Sequence, residues 1–527
     1  MKKSIAIYVF AVLAAIVNNC FAQVPDIAWQ KTFGGTGNDI MQDIYPTADG
    51  NYILLGLSSV SDVDVSCNIE GKHDTWVIKM DPVGDIIWQQ CYGGTKEEGN
   101  PNSKIIQTSD GGYIFQTETW SSDGDVTGHH ELSDAWTVKL NSLGGIEWAH
   151  SFGGSNWDVP RRLVELPGKR YLILARSTSS DGDVPANIDS LKFDAWVFIV
   201  DSTGSIISNN IYGGTGDDEL SDALLLPNGN LALFGQTSSK DGDLTSLPVD
   251  STDAWLLIID TSGNIITNRV YGQQDFEDFI SAVATDDGGF VCFGETGDPG
   301  IPVDHGSWHG NMDFWAVKLD ANNDIQWQGV YGGSDKEQFR DAATLPYNGG
   351  YYLAGTSMSA DGDIADDEFS GREWWIMQIT TDGILLWNTL LGGSDADFCY
   401  SILDNAIAVG GTYSADGDVM GLDGDADGWV LQLDVATVTH QLSGGKGTVL
   451  VYPVPASNNL HIQIDGFESG KLVEVINLLG QKLYSAYADA DEVILNLHHY
   501  NSGCYLLKVS DAAGTIPQSL QVFQIVK

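Results

Sequence analysis

The sequence predicts an all-β protein, namely a seven-bladed β-propeller followed by a small Ig-like β-sandwich. Three observations lead to this prediction. A segment of about 60 residues recurs seven times, each copy divides into four short β-rich runs, and the repeat stops near residue 449. The composition agrees, because 61 glycines and 10% aromatic residues fit many tight turns joined to aromatic-rich strands.

The repeat is clearest in one strand, which reads DAWTVKL at 134–140 and DAWVFIV at 194–200. Its tryptophan returns at intervals of 60, 60, 59, 60, 60 and 54 residues, at Trp76, Trp136, Trp196, Trp255, Trp315, Trp375 and Trp429. Four β-rich runs bounded by Asp-Gly, Asn-Gly and Ser-Gly turns are typical of a propeller blade. We expect these tryptophans to pack between blades and not to bind a ligand.

Ring closure is predicted at the N-terminal end of the repeat. The seventh copy contains the tryptophan strand at 427–434 but lacks the turn glycine and the outer-strand tryptophan that follow it in other copies. Residues 27–35 supply a spare outer strand, with Trp29 in the missing place. We therefore expect this strand to complete the seventh blade and to remove an open sheet edge. The predicted propeller spans residues 26–434.

This pattern resembles the bacterial seven-bladed propeller repeat known as the SBBP repeat. The shared features are the strand D-A-W-V-x-K-L-D, a glycine turn, Tyr-Gly-Gly followed by acidic residues, and D-G-G-Y before a short strand. The resemblance covers the whole predicted propeller. It implies a surface or secreted protein and indicates no particular reaction.

The first 22 residues have the pattern of a signal peptide. Two lysines precede an apolar run from Ile5 to Val17, and Ala22 is the small residue expected before a cleavage point. A short anchor helix is the alternative, but the run is shorter than the ~20 residues that span a bilayer. We therefore expect an exported chain with no transmembrane segment after cleavage.

A separate domain is predicted at 449–527, after a linker at 435–448 that contains serine and several glycines. Its short β-rich runs indicate a small β-sandwich. The domain resembles the type A C-terminal sorting domain of the type IX secretion system, through Tyr452, Pro453, Pro455, Ala456, Leu460, Gly480, Gln481, Leu497, Gly503, Tyr505 and Lys527. Val454 departs from that family, which usually has asparagine there.

The sorting-domain resemblance implies passage across the outer membrane with the secretion machinery as a partner. The protein would then be anchored to surface polysaccharide or released, so the expected location is secreted or the outer cell surface. An ordinary Ig-like binding module is the alternative for these C-terminal residues.

The charge excludes one class of partner. With 25 basic and 72 acidic residues, the chain has a formal net charge of −47. Such a surface repels a phosphate backbone, so we expect no nucleic acid partner. Cations, cationic polymers and neutral glycans are the ligands that this charge permits.

The cysteines give no sign of a disulfide framework. Cys67, Cys91, Cys292, Cys399 and Cys504 remain after the predicted cleavage, an odd number that is widely scattered. We expect most of them to be ordinary buried thiols.

Acidic residues recur in two loops of the repeat. A Ser-x-Asp-Gly-Asp loop follows the second strand, and a further acidic cluster follows each Gly-Gly pair. Both loops should emerge at the same end of the blades and form one negative face. Oxygen ligands of this kind hold hard cations, while Asp-Gly turns bonded to nearby backbone amides are the alternative.

One segment is a sharper candidate metal site. Asp423, Asp425 and Asp427 have the D-x-D-x-D-G spacing that presents three carboxylates along a tight loop, as calcium loops do. A later acidic ligand is missing, because Leu431 lies where one would help. Calcium is therefore the candidate cofactor at these three aspartates.

No catalytic signature is present. The sequence has no G-x-S-x-G elbow, no H-E-x-x-H and no G-x-x-x-x-G-K. We expect a non-enzymatic binding, adhesion or structural module that holds a glycan or protein on its loop face. The alternative is a secreted hydrolase or lyase acting on polysaccharide. A deep central pocket lined by unlike residues from different blades would favour the enzyme, and a near-symmetric acidic face would favour binding.

Overall fold

The computed structural model describes residues 24–67, 72–185, 191–345, 350–364 and 371–434, together with nine shorter stretches between 438 and 525. The predicted signal peptide at 1–22, most of the predicted linker and several residues of the sorting-domain resemblance lie outside the described residues. Strands dominate the described chain, and its one short helix is a 3-10 turn at Gly242–Leu244. Within these residues no helix has the length and apolar character needed to cross a membrane.

Seven mainly antiparallel sheets account for residues 27–433. Strand β1 (Ile27–Phe33) belongs to the seventh sheet. The first three sheets contain β2 (Ile40–Pro46), β3 (Tyr52–Ser58), β4 (Asp74–Met80) and β5 (Ile86–Tyr92); β6 (Lys104–Gln107), β7 (Tyr113–Thr119), β8 (Asp134–Leu140) and β9 (Ile146–Phe152); β10 (Asp158–Leu166), β11 (Arg170–Ser177), β12 (Asp194–Val200) and β13 (Ile206–Tyr212).

The remaining four sheets repeat this arrangement. They contain β14 (Asp218–Leu225), β15 (Leu231–Thr237), β16 (Asp253–Ile259) and β17 (Ile265–Tyr271); β18 (Ser281–Ala284), β19 (Phe290–Thr296), β20 (His305–Gly306), β21 (Asp313–Leu319) and β22 (Ile325–Tyr331); β23 (Glu337–Thr344), β24 (Tyr351–Ser357), β25 (Glu373–Ile379) and β26 (Leu385–Leu391); β27 (Asp397–Ile402), β28 (Ile407–Thr412), β29 (Asp427–Leu433) and β1. The short β20 pairs in parallel with β22 at the outer edge of the fifth sheet.

The seven sheets form a closed ring. The first strand of each sheet contacts the first strand of the next sheet, and β27 of the seventh sheet contacts β2 of the first. These first strands are therefore innermost and surround a central channel. The fold is the predicted seven-bladed β-propeller.

Strand β1 joins the two ends of the ring. It pairs antiparallel with β29 as the outer strand of the seventh blade, with Trp29 opposite Gln432 and Phe33 opposite Gly428. The indole Nε1 of Trp29 donates a hydrogen bond to Gln432 Oε1 at 2.8 Å. The ring is thus closed by residues about 400 positions apart in the chain, and the last blade has no missing strand.

The core of the propeller lies between the blades. Seven clusters of buried apolar side chains each combine residues of two adjacent blades. The seven repeated tryptophans are buried to 1% exposure or less, so their predicted packing role is confirmed. Burying one such side chain contributes about 1.5–3 kcal/mol to the stability of the folded state. The repeat places one such tryptophan at every joint.

Each joint between blades also contains two carboxyl groups beside a glycine. A Cβ atom on Gly93 would lie 2.5 Å from Glu98 Oε2 and 3.1 Å from Asp74 Oδ1. The same arrangement recurs around Gly34, Gly153, Gly213, Gly272, Gly332 and Gly392. These seven glycines, of which all but Gly272 begin a Gly-Gly pair, are therefore required because two acidic side chains occupy the space of a side chain there.

These carboxyl groups make the stability of the ring depend on pH. Burial raises the pKa of Asp158, Asp253 and Asp427 to about 6, of Glu277 to about 7 and of Asp313 to about 8. In the unfolded chain these groups release their protons near pH 4. Their contribution to stability is therefore fully present near or below pH 4 and is lost as the pH rises through about 6–8.

We expect the midpoint temperature of thermal unfolding to decrease as the pH rises from about 5 to about 8. Asp313→Asn removes one of the titrating groups and should reduce this fall, while Asp382→Asn, at an exposed turn, should not. Scanning calorimetry of the wild type and the two variants at matched ionic strength checks the prediction. A midpoint that stays constant or rises over this pH range would contradict it.

The C-terminal domain is a sandwich of two four-stranded sheets. Its strands are β30 (Val438–His440), β31 (Thr448–Tyr452), β32 (Asn459–Asp465), β33 (Lys471–Asn477), β34 (Lys482–Ala488), β35 (Glu492–Asn496), β36 (Gly503–Asp511) and β37 (Pro517–Ile525). The sheet orders are β30-β31-β32-β35 and β34-β33-β36-β37. Buried side chains from both sheets, among them Ile462, Leu495, Val473 and Leu507, form one core.

The sandwich begins earlier than the sequence pattern suggests. Strand β30 lies inside the segment 435–448 that was expected to be a linker, and it pairs antiparallel with β31. Three residues are too few to show a strand periodicity in the sequence. Their conformation is decided by the partner strand that they pair with.

One disulfide corrects the expectation for the cysteines. Cys67, in the loop between β3 and β4, is bonded to Cys91 of β5. The two residues are 24 positions apart, and the folding of this loop against the outer strand of the same blade brings them together. Cys292 and Cys399 are free and buried, as expected for ordinary core thiols.

Candidate functional site

The Asp-Gly-Asp loops bind the neighbouring loops of the ring. Asp123 accepts hydrogen bonds from the backbone N–H and the hydroxyl group of Thr95, both at 2.8 Å. Asp241 accepts the equivalent bonds from Thr215 at 2.8 and 2.9 Å. The backbone bond recurs from Thr36 to Asp62, Ser155 to Asp181, Ser334 to Asp361 and Ser394 to Asp416. The first aspartate of each loop thus joins two successive loops of the same face.

The central residue of these loops has a left-handed backbone. Gly124, Gly182 and Gly362 have φ values of 64°, 64° and 71°. Val63, which replaces glycine in the first copy, has the same conformation with φ of 51°. In the fifth copy, which lacks the motif, Asp298 still accepts the backbone N–H of Gln274 at 3.0 Å. The loops are therefore turns held by their aspartates, which is the alternative that the sequence left open.

The candidate calcium loop contains similar bonds. Asp427 is 1% exposed, and its Oδ2 accepts the backbone N–H of Asp423 at 2.8 Å. The backbone N–H of Asp425 donates to the carbonyl oxygen of Gly37 at 2.9 Å. Over the described residues, no group of three or more histidine, cysteine, aspartate or glutamate side chains is arranged to hold a metal ion. Calcium binding by Asp423, Asp425 and Asp427 stays a prediction.

Calcium titration tests this prediction. If the loop binds calcium in the native state, the unfolding midpoint rises with calcium concentration, because binding to the native state alone stabilises it. Asp425→Ala should remove the rise, and Asp382→Asn should not. An unchanged midpoint together with no bound metal in elemental analysis would show that these aspartates act only in the turn.

A polar cavity of about 240 Å³ lies at the centre of the ring. Residues from six of the seven blades line it, most of them on the innermost strands. The cavity lies near the beginning of these strands, because Arg161, Glu219, Arg340 and Tyr400 are within the first four residues of β10, β14, β23 and β27. That is the end at which the Asp-Gly-Asp loops emerge.

Arginine is concentrated in this cavity. The chain has seven arginines in 527 residues. Four of them line the cavity, namely Arg161, Arg162, Arg176 and Arg340. The same lining also carries five carboxyl groups, on Glu219, Asp222, Asp278, Glu295 and Asp341, so basic and acidic side chains are close to balanced here although the chain has a net charge of −47.

In several inner strands a β-bulge leaves one residue without a partner on the second strand, and Arg161, Ser221, Arg340 and Tyr400 among these residues line the cavity. Arg161 and Arg340 are the residues without a partner on the second strand of their blades. The corresponding residues of the first, fourth and seventh blades are Gln42, Ser221 and Tyr400. The repeat therefore supplies the position, which is occupied by arginine in two of these blades and by glutamine, serine or tyrosine in the other three.

The next residue of each inner strand belongs to a belt around the channel. We call Asp43, Lys104, Arg162, Asp222, Ser281, Asp341 and Ser401 the channel belt, since each lies opposite the same position of its second strand. Lys104 Nζ lies 3.1 Å from Asp43 Oδ1, and Arg162 Nε lies 2.8 Å from Asp222 Oδ1.

The carboxylates of the channel belt also join adjacent blades. Asp43 and Asp222 accept backbone N–H groups of the next inner strand, from Ile105 and Ala282 respectively, both at 2.8 Å. Asp341 accepts the hydroxyl of Ser401 at 2.7 Å. Most charged groups of the channel belt therefore form ion pairs or hydrogen bonds that stabilise the closed ring.

Two further arginines of the cavity are paired with one glutamate. Glu219 lies 2.5 Å from Arg161 Nε and 2.9 Å from Arg176 Nη1. Burial alone would raise the pKa of Glu219, but the two guanidinium groups bring it below its usual value. Glu219 therefore stays ionised and offsets part of their charge.

Arg340 differs from the other cations of the cavity. Among the described residues it has no carboxylate within 4.0 Å and no hydrogen-bond partner. Its guanidinium carbon lies 5.9 Å from the centre of the Tyr400 ring. A guanidinium group enclosed by a cavity wall without an ion pair is costly, so this position suits an anionic ligand.

A carboxyl pair completes the wall. Asp278 Oδ1 accepts the backbone N–H of Glu295 at 2.7 Å, and Glu295 Oε1 accepts that of Phe339 at 2.9 Å. Burial and the nearby Glu295 raise the pKa of Asp278 well above its usual value, and burial raises the pKa of Glu295 to about 7. Near neutral pH the pair therefore holds a proton and does not fully neutralise Arg340.

Comparison with known families identifies the C-terminal domain. Residues 450–522 match the family described as the secretion system C-terminal sorting domain. The sorting domain recognised in the sequence is thereby confirmed, and it places the protein on the outer cell surface or outside the cell. A comparison of the chain with curated proteins gives no match.

Solved structures share general features with this chain at low identity. Hydrazine synthase of Kuenenia stuttgartiensis is 11% identical, with 74% of this chain and 96% of that chain covered and a TM-score of 0.41. The extracellular domain of the BT4673 two-component system of B. thetaiotaomicron is 11% identical, with 93% and 70% covered and a TM-score of 0.30. PorZ, a surface component of the type IX secretion system of Porphyromonas gingivalis, is 12% identical, with 97% and 87% covered and a TM-score of 0.20. At these scores none of the three indicates a function for this chain.

The residues of the cavity were not predicted as a site from the sequence. Two signals for them are nevertheless present in it. Arginine is rare in the chain, and the bulge position varies from blade to blade. Aligning the seven copies by the tryptophan strand would have singled out Arg161, Arg340 and Tyr400.

Proposed function

We propose that this exported propeller is a binding protein for an anionic ligand, whose carboxylate is bound by Arg340 in the central cavity. The observation that supports the proposal is the guanidinium of Arg340, which has no ion pair among the described residues and lies in the wall of a polar cavity. The proposal keeps the expected role of a surface binding module and moves the binding site from the acidic loops to the channel.

The chemistry of the guanidinium group favours a carboxylate. Its planar set of donors matches the two oxygens of a carboxylate, and such paired bonds are stronger than neutral hydrogen bonds. Arg340 lies at the bulge of the inner strand β23, and the residues on both sides of it, Phe339 and Asp341, are paired with β24. The ligand would therefore meet a preformed donor set.

The acidic surface does not prevent this binding. Exposed charges act over about 8 Å at physiological ionic strength, so an anion inside the cavity is influenced mainly by the groups of the wall. There, Glu219 is offset by two arginines and the Asp278–Glu295 pair holds a proton. The local balance favours an anion although the whole chain is strongly negative.

We expect Arg340→Gln to weaken binding of a simple carboxylate about tenfold or more, since a charge-assisted hydrogen bond contributes about 1.5–3 kcal/mol. Isothermal titration of the full chain with succinate measures this change. Arg269→Gln is the matched control, because Arg269 lies on the outer strand β17 and pairs with Asp324 at 2.7 Å. Equal affinity of the wild type and Arg340→Gln, or no binding by either, would contradict the proposal.

A second candidate function is hydrolysis or elimination on a polysaccharide. It is favoured by the central cavity of unlike residues and by the Asp278–Glu295 pair, since a carboxyl group with a raised pKa suits general acid catalysis. Under this hypothesis the protein releases shorter fragments from an acidic polysaccharide, and Glu295→Gln lowers the rate about 100-fold or more. Binding of the polysaccharide without any fragment release would exclude it.

A further inference from the structure

We infer that the anionic group bound in the cavity belongs to a sugar, so that the ligand is an acidic glycan and the cavity takes one of its uronic acid residues. This inference rests on the proposed carboxylate binding at Arg340 and goes beyond it by naming the class of molecule. Three features of the cavity wall support it.

The first feature is an acceptor without a partner. Gln236 lines the cavity, and its Oε1 is buried with no hydrogen-bond donor among the described residues. A buried acceptor left unpaired costs about 1–3 kcal/mol. A ligand that brings only a carboxylate adds another acceptor and leaves Gln236 unsatisfied, whereas a sugar hydroxyl donates to it.

The second feature is the number of acceptors beside the arginines. Glu219, Asp222 and Asp341 line the same wall. Their oxygens already have partners within the protein, but a carboxylate has about four lone-pair sites and can accept a further hydrogen bond. These groups suit the many hydroxyl groups of a sugar. They disfavour a phosphate or sulfate group, because a more concentrated negative charge would lie close to several carboxylates.

The third feature is aromatic. The ring of Tyr400 lines the cavity near Arg340, and it lies nearly parallel to Phe398, at 9° with 6.4 Å between ring centres. An aromatic face packs well against the C–H face of a pyranose ring. The cavity wall thus offers hydrogen-bond donors for a carboxylate, acceptors for hydroxyl groups and an aromatic face. Together these match a uronic acid better than a dicarboxylate or an acidic peptide.

A pair of tryptophans suggests that the ligand is a chain of sugars and not a single one. Trp157 is 43% exposed, and its ring centre lies 6.5 Å from that of Trp120. Trp157 directly precedes β10, which places Arg161 in the cavity four residues later, within about 13 Å. Other copies have Asn38, Glu97, Asp217, Phe276, Lys336 and Ala396 at this position, so the fold does not require a tryptophan there.

The test compares three ligands on the full chain by isothermal titration calorimetry. These are a galacturonate oligomer, a glucose oligomer of the same length, and succinate. We expect the galacturonate oligomer to bind about tenfold or more tightly than either of the others. Arg340→Gln should weaken both acidic ligands, and Arg269→Gln should change neither.

Two further variants separate sugar recognition from carboxylate binding. Tyr400→Leu and Gln236→Leu should each weaken the galacturonate oligomer at least fivefold more than succinate, and their melting curves show whether each variant folds. If succinate binds and the galacturonate oligomer binds no better, the glycan inference is wrong while the proposed function stands. If poly-glutamate binds more tightly than the galacturonate oligomer, the ligand is an acidic peptide and the inference is overturned. If no acidic ligand binds, both proposals fail.

Discussion

Closure of the ring is the constraint on which the rest of the structure depends. The outer strand of the seventh blade comes from the N-terminal segment, so β1 and β29 pair although they are far apart in the chain. Strand β1 also contributes Phe33 and Trp29 to the buried apolar cluster that the last and first blades share. The central cavity exists only in the closed ring, because its wall comes from six different blades. The position of every side chain in the cavity therefore depends on contacts at the joints.

The joints combine two kinds of interaction with different consequences. Apolar packing around the repeated tryptophans stabilises each joint at any pH, since it involves no ionisable group. The carboxyl pairs beside the seven glycines of the joints add a part that depends on proton binding, because burial raises the pKa of at least one carboxyl group at each joint. Repeating two carboxyl groups at all seven joints makes this part of the stability of the propeller greatest at acidic pH. The Asp-Gly-Asp loops add hydrogen bonds between successive loops of the same face.

Charge in this protein is organised at two scales. Over the whole chain the net charge of −47 disfavours partners with a phosphate backbone. Inside the channel, arginines that are rare elsewhere face carboxylates of the belt, and only Arg340 among these cations lacks an ion pair in the described structure. A binding site for an anion can exist in an acidic protein because solvent screens the surface charge, while the groups of the cavity act at short range.

The sequence by itself determined the architecture. The architecture follows from local patterns, namely the tryptophan period, the turn glycines and the spare strand around Trp29. These patterns can be recognised without a structure because they repeat along the chain. The sorting domain was recognisable for a similar reason, since its matching residues lie close together in sequence. The tertiary structure alone decided the rest. Arg161, Arg176, Arg340 and Glu295 lie on different strands and blades, and only ring closure and the bulges of the inner strands bring them to one cavity. The bond between Cys67 and Cys91 and the pairing of β30 likewise depend on neighbours in space, which a pattern along the chain does not contain.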